Sequence, residues 1–285
     1  MRSMWLMLLT GWFIVAISSA MTFAVEQSSS SASTSDTDES SKTDRPNLAL
    51  IISEFEYKTF ETLPAFAKAN FSDDFEIESA VNSDEHCQEL PEITILKDAD
   101  VAILSIWRRT LPPDQLAVVR EYVEAGKPIV AFRAASHAFQ TRDGTTPEGR
   151  ETWPTFDRDV LGCHYDGHHG NYAKEGFPPT HVWVLPEAQS NPLVAGIDAG
   201  EFVAPSWLYK LQPLSEGAEP LLKGRVADRQ PQEPVAWTYR TEHGGPVFYT
   251  SLGSPEDFEL PQFRRLLRNA VYWAADKPLP TDAPK

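Results

Sequence analysis

The sequence has few basic residues for its length. Its 285 residues include 25 lysines and arginines against 41 aspartates and glutamates, which gives a net charge of −16 at neutral pH. A chain this acidic repels phosphate backbones and anionic lipid headgroups unless it carries a local basic patch, and the sequence shows no such patch. We therefore expect no nucleic-acid partner.

Cysteine is nearly absent as well. Cys87 and Cys163 are the only two in the chain. So small a number excludes a fold that depends on a framework of several disulfides. The pair is enough for one disulfide, and the sequence leaves both the bridged and the free form open.

A long hydrophobic run occurs only near the amino terminus. Arg2 precedes an apolar stretch over residues 5–17, and small residues follow it up to Ala24. The stretch is shorter than the roughly 20 residues of a membrane-spanning helix. This favours a signal peptide over residues 1–24 and an exported protein, periplasmic or extracellular. An uncleaved anchor is the alternative, and it would be the only membrane contact.

The rest of the chain divides into a tether, a body and a short tail. Residues 25–45 are rich in serine and threonine and follow no periodic pattern, which predicts a disordered tether. Beyond them there is no internal repeat and no second linker. We expect one domain over residues 46–277 and a C-terminal tail over 278–285. Hydrophobic residues make up 41% of the chain, enough for that domain to bury a core.

Short apolar runs alternate with helical segments in the first half of the body. The runs cover residues 47–53, 101–106 and 128–132, and helical spacing covers 59–70 and 113–125. Such runs are typical of parallel strands that are buried on both faces. The alternation predicts an α/β fold with a mostly parallel sheet flanked by helices.

The second half of the body has a different pattern. Residues 138–181 form irregular stretches rich in Gly, Pro and His, and loops of this length are usually functional. Four further strands are predicted, at residues 202–214, 219–227, 234–240 and 246–252. Several should be antiparallel because their connections are short. A final helix over residues 260–275 has one apolar stripe that would cover the sheet.

Polar residues follow the predicted parallel strands at the point where each strand ends. Open parallel sheets bind their ligands at that edge. The candidate ligand-binding residues are therefore Glu54, Trp107, Arg133 and Asp257. Ser136 is not expected to be a nucleophile activated by His137, because side chains of adjacent residues rarely face each other.

Histidines are concentrated in one segment. Four of the seven lie between residues 164 and 181. Imidazole and carboxylate at close spacing can bind a divalent metal ion, with His164, Asp166 and His168 as candidate ligands. A single imidazole can also act as a general base near neutral pH. The spacing matches no strict zinc signature, and the alternative is a polar loop whose histidines hydrogen-bond locally. His164 is also a candidate ligand-binding residue.

Several motifs resemble the ThuA-like (trehalose-utilisation) family. They are PIVAFRAASHAF at 128–139, the segments 153–156, 161–168 and 191–197, and, most specifically, PVFYTSLG at 246–253 with FRRLLRNAVYWA at 263–274. The resemblance implies a flavodoxin-like fold similar to that of class I glutamine amidotransferases. It also marks His137, Asp166 and His168 as candidate catalytic residues.

The sequence departs from these relatives in three places. Ala134 stands where an amidotransferase has its cysteine, so an acyl-enzyme route and glutaminase activity are not expected. Ser206 and Trp207 replace an acidic pair that is common in the family. Ser254 replaces a common histidine.

Together these features predict an exported protein that acts on or binds sugars: trehalose, related disaccharides or their keto derivatives. His137 or His168 would be the general base, and Asp166 would orient it or help to hold a metal. Two alternatives remain open, namely a non-catalytic carbohydrate-binding or interaction module and a metal-dependent hydrolase with another substrate. Beyond that divalent metal no cofactor is predicted, and the oligomeric state is open.

The overall charge adds an expectation about the ligand. An acidic protein favours neutral sugars or cations over anionic ligands. The preference would change to anionic ligands if Arg108, Arg109 and Arg133 lined the cleft.

Overall fold

The computed structural model describes residues 45–171, 176–198, 200–228 and 231–285. The predicted signal peptide and the predicted tether up to residue 44 lie outside these described residues. Within the described ranges, no helix is both long enough and apolar enough to cross a membrane.

The described residues form one sheet of nine strands. The strands are β1 (Asn47–Ser53), β2 (Glu76–Val81), β3 (Val101–Ile106), β4 (Ile129–Phe132), β5 (Thr180–Val184), β6 (Phe202–Ala204), β7 (Glu219–Val226), β8 (Glu233–Arg240) and β9 (Pro246–Thr250). Their order across the sheet is β2-β1-β3-β4-β9-β8-β7-β5-β6. The five strands β2, β1, β3, β4 and β9 are parallel, and their order is of the flavodoxin type.

The prediction of a mostly parallel sheet was wrong, because the sheet is mixed. From β9 onward the pairing is antiparallel: β9 with β8, β8 with β7, β7 with β5, and β5 with β6. The physical reason lies in the connections. Residues 227–232 and 241–245 are too few for a crossover between parallel strands, which takes a dozen residues or more. These short turns reverse the chain and add an antiparallel half to the parallel one.

Two strand predictions in the second half also need correction. Strand β5 lies at the end of a stretch predicted to be irregular, and its side chains alternate between buried and half-buried. Of the predicted strand over residues 202–214, only β6 (Phe202–Ala204) forms. After it the chain passes Pro205 and Pro213, which cannot donate to a sheet ladder. Between these prolines, Tyr209 forms an isolated bridge with His168.

The described residues also form four α-helices. They are α1 (Thr59–Phe71), α2 (Pro113–Glu124), α3 (Phe156–Asp159) and α4 (Pro261–Ala274). Strand β1 shows how both faces are covered. Its Leu48 and Leu50 lie in one core with α1 and α4, whereas Ala49 and Ile51 lie in a second core with α2. The predicted α/β arrangement, with buried parallel strands between helices, is therefore confirmed for this half.

Candidate functional site

The parallel strands end at one edge of the sheet, and backbone hydrogen bonds join the segments that follow them. Trp107 N–H, after β3, donates to the carbonyl of Ser53 at the end of β1, at 2.9 Å. Arg108 N–H donates to the carbonyl of His137, after β4, at 3.3 Å. Strand β9 pairs in parallel with β4 and ends at the same edge. This edge is the candidate site.

Arg133 forms the sharp turn that follows β4. Its φ of 50° lies in the left-handed region, which is unfavourable for a residue with a side chain. The guanidinium is buried, and Nη1 donates to the carbonyls of Trp207 at 2.8 Å and Ser251 at 2.9 Å. Arg133 therefore joins the turn after β4 to the end of β9 and to the 205–211 segment.

Two tyrosine rings enclose the guanidinium of Arg133. The guanidinium carbon lies 4.3 Å from the ring centre of Tyr209 and 4.8 Å from that of Tyr57, within cation–π range. The two phenol oxygens are 3.0 Å apart. Burial raises the pKa of both tyrosines, so both remain protonated at neutral pH.

His137 lies in the 3₁₀ turn after Arg133. Its Nδ1 is 3.1 Å from the Ser136 hydroxyl, and its ring stacks on Tyr165 with centroids 4.2 Å apart. The side chain is 2% exposed. Burial, helped by the charges of nearby arginines, lowers the pKa of His137 well below 6.5. The imidazole is therefore neutral at pH 7. Nδ1 is engaged with Ser136, and Nε2 has no hydrogen-bond partner among the described residues.

The outer rim of the site carries two more arginines. The Arg108 guanidinium lies 6.0 Å from the ring centre of Tyr165, and the Arg142 guanidinium lies 5.2 Å from that of Trp107. Trp107 in turn meets Phe55 edge to face at 5.0 Å. The rim therefore combines aromatic faces with positive charge. By contrast, Arg109 is buried and is not part of the rim.

Two predicted ligand-binding carboxylates bind the backbone. Glu54 accepts the N–H of Tyr57 at 2.7 Å and that of Thr59 at 2.6 Å. Asp257 accepts the N–H of Gly253 at 2.7 Å and that of Ser254 at 3.0 Å. Both carboxylates hold the loops of the site in position, as buried charged groups must be hydrogen-bonded.

A pocket of about 250 Å³ opens beside the Arg133 guanidinium. It is lined by Glu56, Tyr57, Lys58, Arg133, Trp207, Pro255 and Glu256. Burial raises the pKa of Glu56 above 4.5, although the charge of Arg133 opposes this shift. The volume is below the roughly 300–1,000 Å³ of typical ligand pockets. It suits one ring of a small polar ligand.

The predicted His-rich cluster does not come together. His168 stacks on Trp207 with centroids 4.2 Å apart, at the side of the site. The Nδ1 of His164 lies 3.7 Å from Asp157 Oδ2, and Asp166 is exposed at the surface. Within the part of the chain that the structure describes, no three His, Cys, Asp or Glu side chains are placed to share a metal ion. The predicted ligands His164, Asp166 and His168 therefore gain no support.

Both cysteines are free thiols. Burial raises the pKa of Cys163 well above 9.0, which suppresses the reactive thiolate. Cys87 is half-buried.

Several residues of the site were not predicted to be site residues. They are Tyr57, Arg142, Tyr165 and Tyr209. Tyr57 follows β1, which also gave Glu54, so the strand-end argument could have included it. Tyr165 lies inside the His-rich segment. Tyr209 and Arg142 lie in irregular segments, and no pattern in the sequence indicates where those segments go.

The fold and the site define a flavodoxin-type α/β protein with a ligand site at the carboxyl edge of its parallel strands. The model of the family ThuA, described as trehalose utilisation, matches residues 49–274. The chain belongs to this family. A search of curated protein sequences found no match.

Solved structures show the same fold at low sequence identity. A ThuA-like protein from Bacteroides uniformis is 20% identical, with a TM-score of 0.57 over 81% of this chain and 92% of that one. A ThuA-like protein from Parabacteroides merdae is 14% identical, with a TM-score of 0.57 over 85% of this chain and 95% of that one. At this identity the likeness supports the fold alone.

Proposed function

We propose that the candidate site at the carboxyl edge of the parallel strands, called the cleft from here on, binds a sugar. We further propose that the protein acts on this sugar with His137 as the general base. The family's link to trehalose utilisation supports trehalose, related disaccharides and their keto derivatives as ligands. Aromatic faces beside polar groups are the surface on which a sugar ring packs, and Trp107, Tyr165 and Trp207 supply such faces. The predicted signal peptide supports action outside the cytoplasm.

The observation that carries the proposal is the environment of His137. The ring is neutral at pH 7, its Nδ1 lies 3.1 Å from the Ser136 hydroxyl, and its Nε2 has no hydrogen-bond partner in the described part of the chain. A neutral imidazole can take a proton from a sugar hydroxyl or from water. The positive charges of Arg108 and Arg133 would stabilise negative charge that develops on an oxygen nearby. Ser136, rather than the exposed Asp166, has the orienting role.

A non-catalytic carbohydrate-binding module is the second candidate. It is favoured because several charged side chains of the site form hydrogen bonds that stabilise the fold. Glu54, Asp257 and the Nη1 of Arg133 all bond to the backbone. On this proposal the cleft holds the sugar and no reaction follows.

Glutaminase activity is not part of either proposal. The strained residue after β4 is Arg133, and Ala134 follows it, so neither position of the turn offers a thiol. We expect the purified protein to release no ammonia from glutamine above the rate of a blank.

A thermal-shift panel of mono- and disaccharides, with trehalose and its keto derivatives, tests the proposal, followed by chromatography of the products. His137→Gln is the test variant, and His86→Gln, in an exposed loop, is the matched control. Stabilisation with turnover that His137→Gln abolishes supports the enzyme. Stabilisation without turnover supports the binding module. No stabilisation by any sugar overturns both.

A further inference from the structure

Two arginines at the rim of the cleft have no carboxylate partner among the residues that the structure describes. Arg108 is half-buried, has a left-handed φ of 45°, and has Tyr165, Tyr209 and Arg142 as its electrostatic neighbours. Arg142 lies over the Trp107 ring. No carboxylate of the described residues forms an ion pair with either arginine.

The acidic side chains around the cleft do not neutralise this pair. Glu54 and Asp257 accept hydrogen bonds from backbone N–H groups. Glu56 interacts most strongly with Arg133 and only weakly with Arg142. Removing a guanidinium from water without a counter-ion costs free energy. Arg108 is half-buried and has the exposed Arg142 as an electrostatic neighbour of like charge. A ligand that supplies negative charge would offset both the lost hydration of Arg108 and the repulsion between the two arginines.

We propose that the cleft takes an anionic sugar derivative, whose carboxylate or phosphate group binds between Arg108 and Arg142. The sugar part of this inference rests on the proposed function. Guanidinium groups match the geometry of carboxylate and phosphate oxygens and can bind them bidentately. Two neighbouring positive charges at the rim, in a chain of net charge −16, also attract anions that the rest of the surface repels.

Isothermal titration calorimetry on the full chain tests the inference. The ligands are glucose, trehalose, glucuronate, glucose 6-phosphate and inorganic phosphate. We expect at least one anionic sugar to bind about tenfold or more tightly than glucose, the factor that one charge-assisted hydrogen bond supplies. Glucuronate and glucose 6-phosphate distinguish a carboxylate from a phosphate.

Four variants assign the effect to the rim. Arg108→Gln and Arg142→Gln should each remove most of the preference for the anion, because each weakens binding of the anion far more than binding of glucose. Arg108→Lys should retain part of the preference. Arg240→Gln is the matched control, since Arg240 pairs with the first residue of β9 and so lies at the opposite end of the sheet. Arg142 is exposed, so its variant remains informative if Arg108→Gln does not fold.

Each outcome separates this inference from the proposed function. Equal affinity for glucose and its anionic derivatives overturns the inference and leaves the proposed function standing. A loss of glucose binding in Arg108→Gln as large as the loss of anion binding also overturns it. Arg108-dependent binding of inorganic phosphate without binding of any sugar overturns the proposed function and supports the anion site. No binding of any ligand overturns both.

Discussion

The rings of His137 and Tyr165 lie nearly parallel, with their centroids 4.2 Å apart and their planes 24° apart. The tyrosine comes from the irregular segment that follows α3, and its backbone N–H donates to Asp157 Oδ2 at 3.0 Å. Tyr165 thus forms a cover over the imidazole. Burial, to which this cover contributes, is the largest cause of the lowered pKa of His137.

Removing the cover should raise the pKa of His137. Tyr165→Ala admits water to the imidazole, and the loss of the desolvation that lowers its pKa should move that pKa up towards 6.5. Tyr165→Phe keeps the ring and should leave the pKa low. An NMR titration of the His137 ring protons measures both. An unchanged pKa in Tyr165→Ala would show that the arginine charges, and not burial, set the value.

His137 should also make the stability of the protein depend on pH. Below about pH 6.5 the unfolded chain binds a proton at this residue and the folded chain does not, so the free energy of unfolding falls as the pH falls. The loss is at most about 1.4 kcal/mol per pH unit for one group. It ends when the pH reaches the pKa of the folded state.

Urea denaturation between pH 5 and pH 8 measures this contribution. His137→Gln should lack the slope, so the difference in stability between wild type and variant should shrink as the pH falls below about 6.5. The other titrating groups are common to both proteins and cancel in the difference. A difference that is constant with pH contradicts a buried neutral His137.

The cysteines give a third prediction. The native protein should react with Ellman's reagent at Cys87, which is half-buried, and not at Cys163, whose pKa is raised by burial. Both should react in denaturant without a reductant. Cys87→Ser should remove the native reaction. No reactive thiol in denaturant would instead demonstrate the disulfide that the sequence left open.

Much of the parallel half could be predicted, because its signals are local. The run at β1 is buried on both sides, and each strand end brings its polar residues to one edge. Glu54, Trp107, Arg133 and His137 follow from that rule alone. Their roles do not, since Glu54 holds a loop through two N–H groups, a contact that no sequence pattern specifies.

The other side of the site could not be predicted, because it is built from segments without periodicity. Tyr209 reaches Arg133 only because the chain leaves the sheet after β6 and bridges to His168. Ser136 and His137 were expected to face apart, yet the 3₁₀ turn brings Ser136 Oγ within 3.1 Å of His137 Nδ1. Both contacts depend on turn geometry, which pattern and composition do not encode.

Gly253 lies where the end of β9 meets the turn after β4, and it should not tolerate a side chain. Its φ is 129°, and a Cβ atom there would lie 2.5 Å from Phe132 Cδ2. Phe132 has little room to move because it packs against Phe258 and Phe263. Gly253→Ala should therefore lower the free energy of unfolding by about 2–4 kcal/mol, because overpacking and backbone strain act together.

Gly149→Ala is the matched control for this substitution. Gly149 also has a positive φ, of 70°, but its Cβ would meet no atom within 4 Å. Gly149→Ala should lower the free energy of unfolding by about 1 kcal/mol, because only backbone strain acts there. Chemical denaturation of the two variants separates the two contributions. The prediction is contradicted if the free energy of unfolding falls by no more in Gly253→Ala than in Gly149→Ala. That result would show that Phe132 can move aside, and that the close packing of β9 does not determine the conformation of the Arg133 turn.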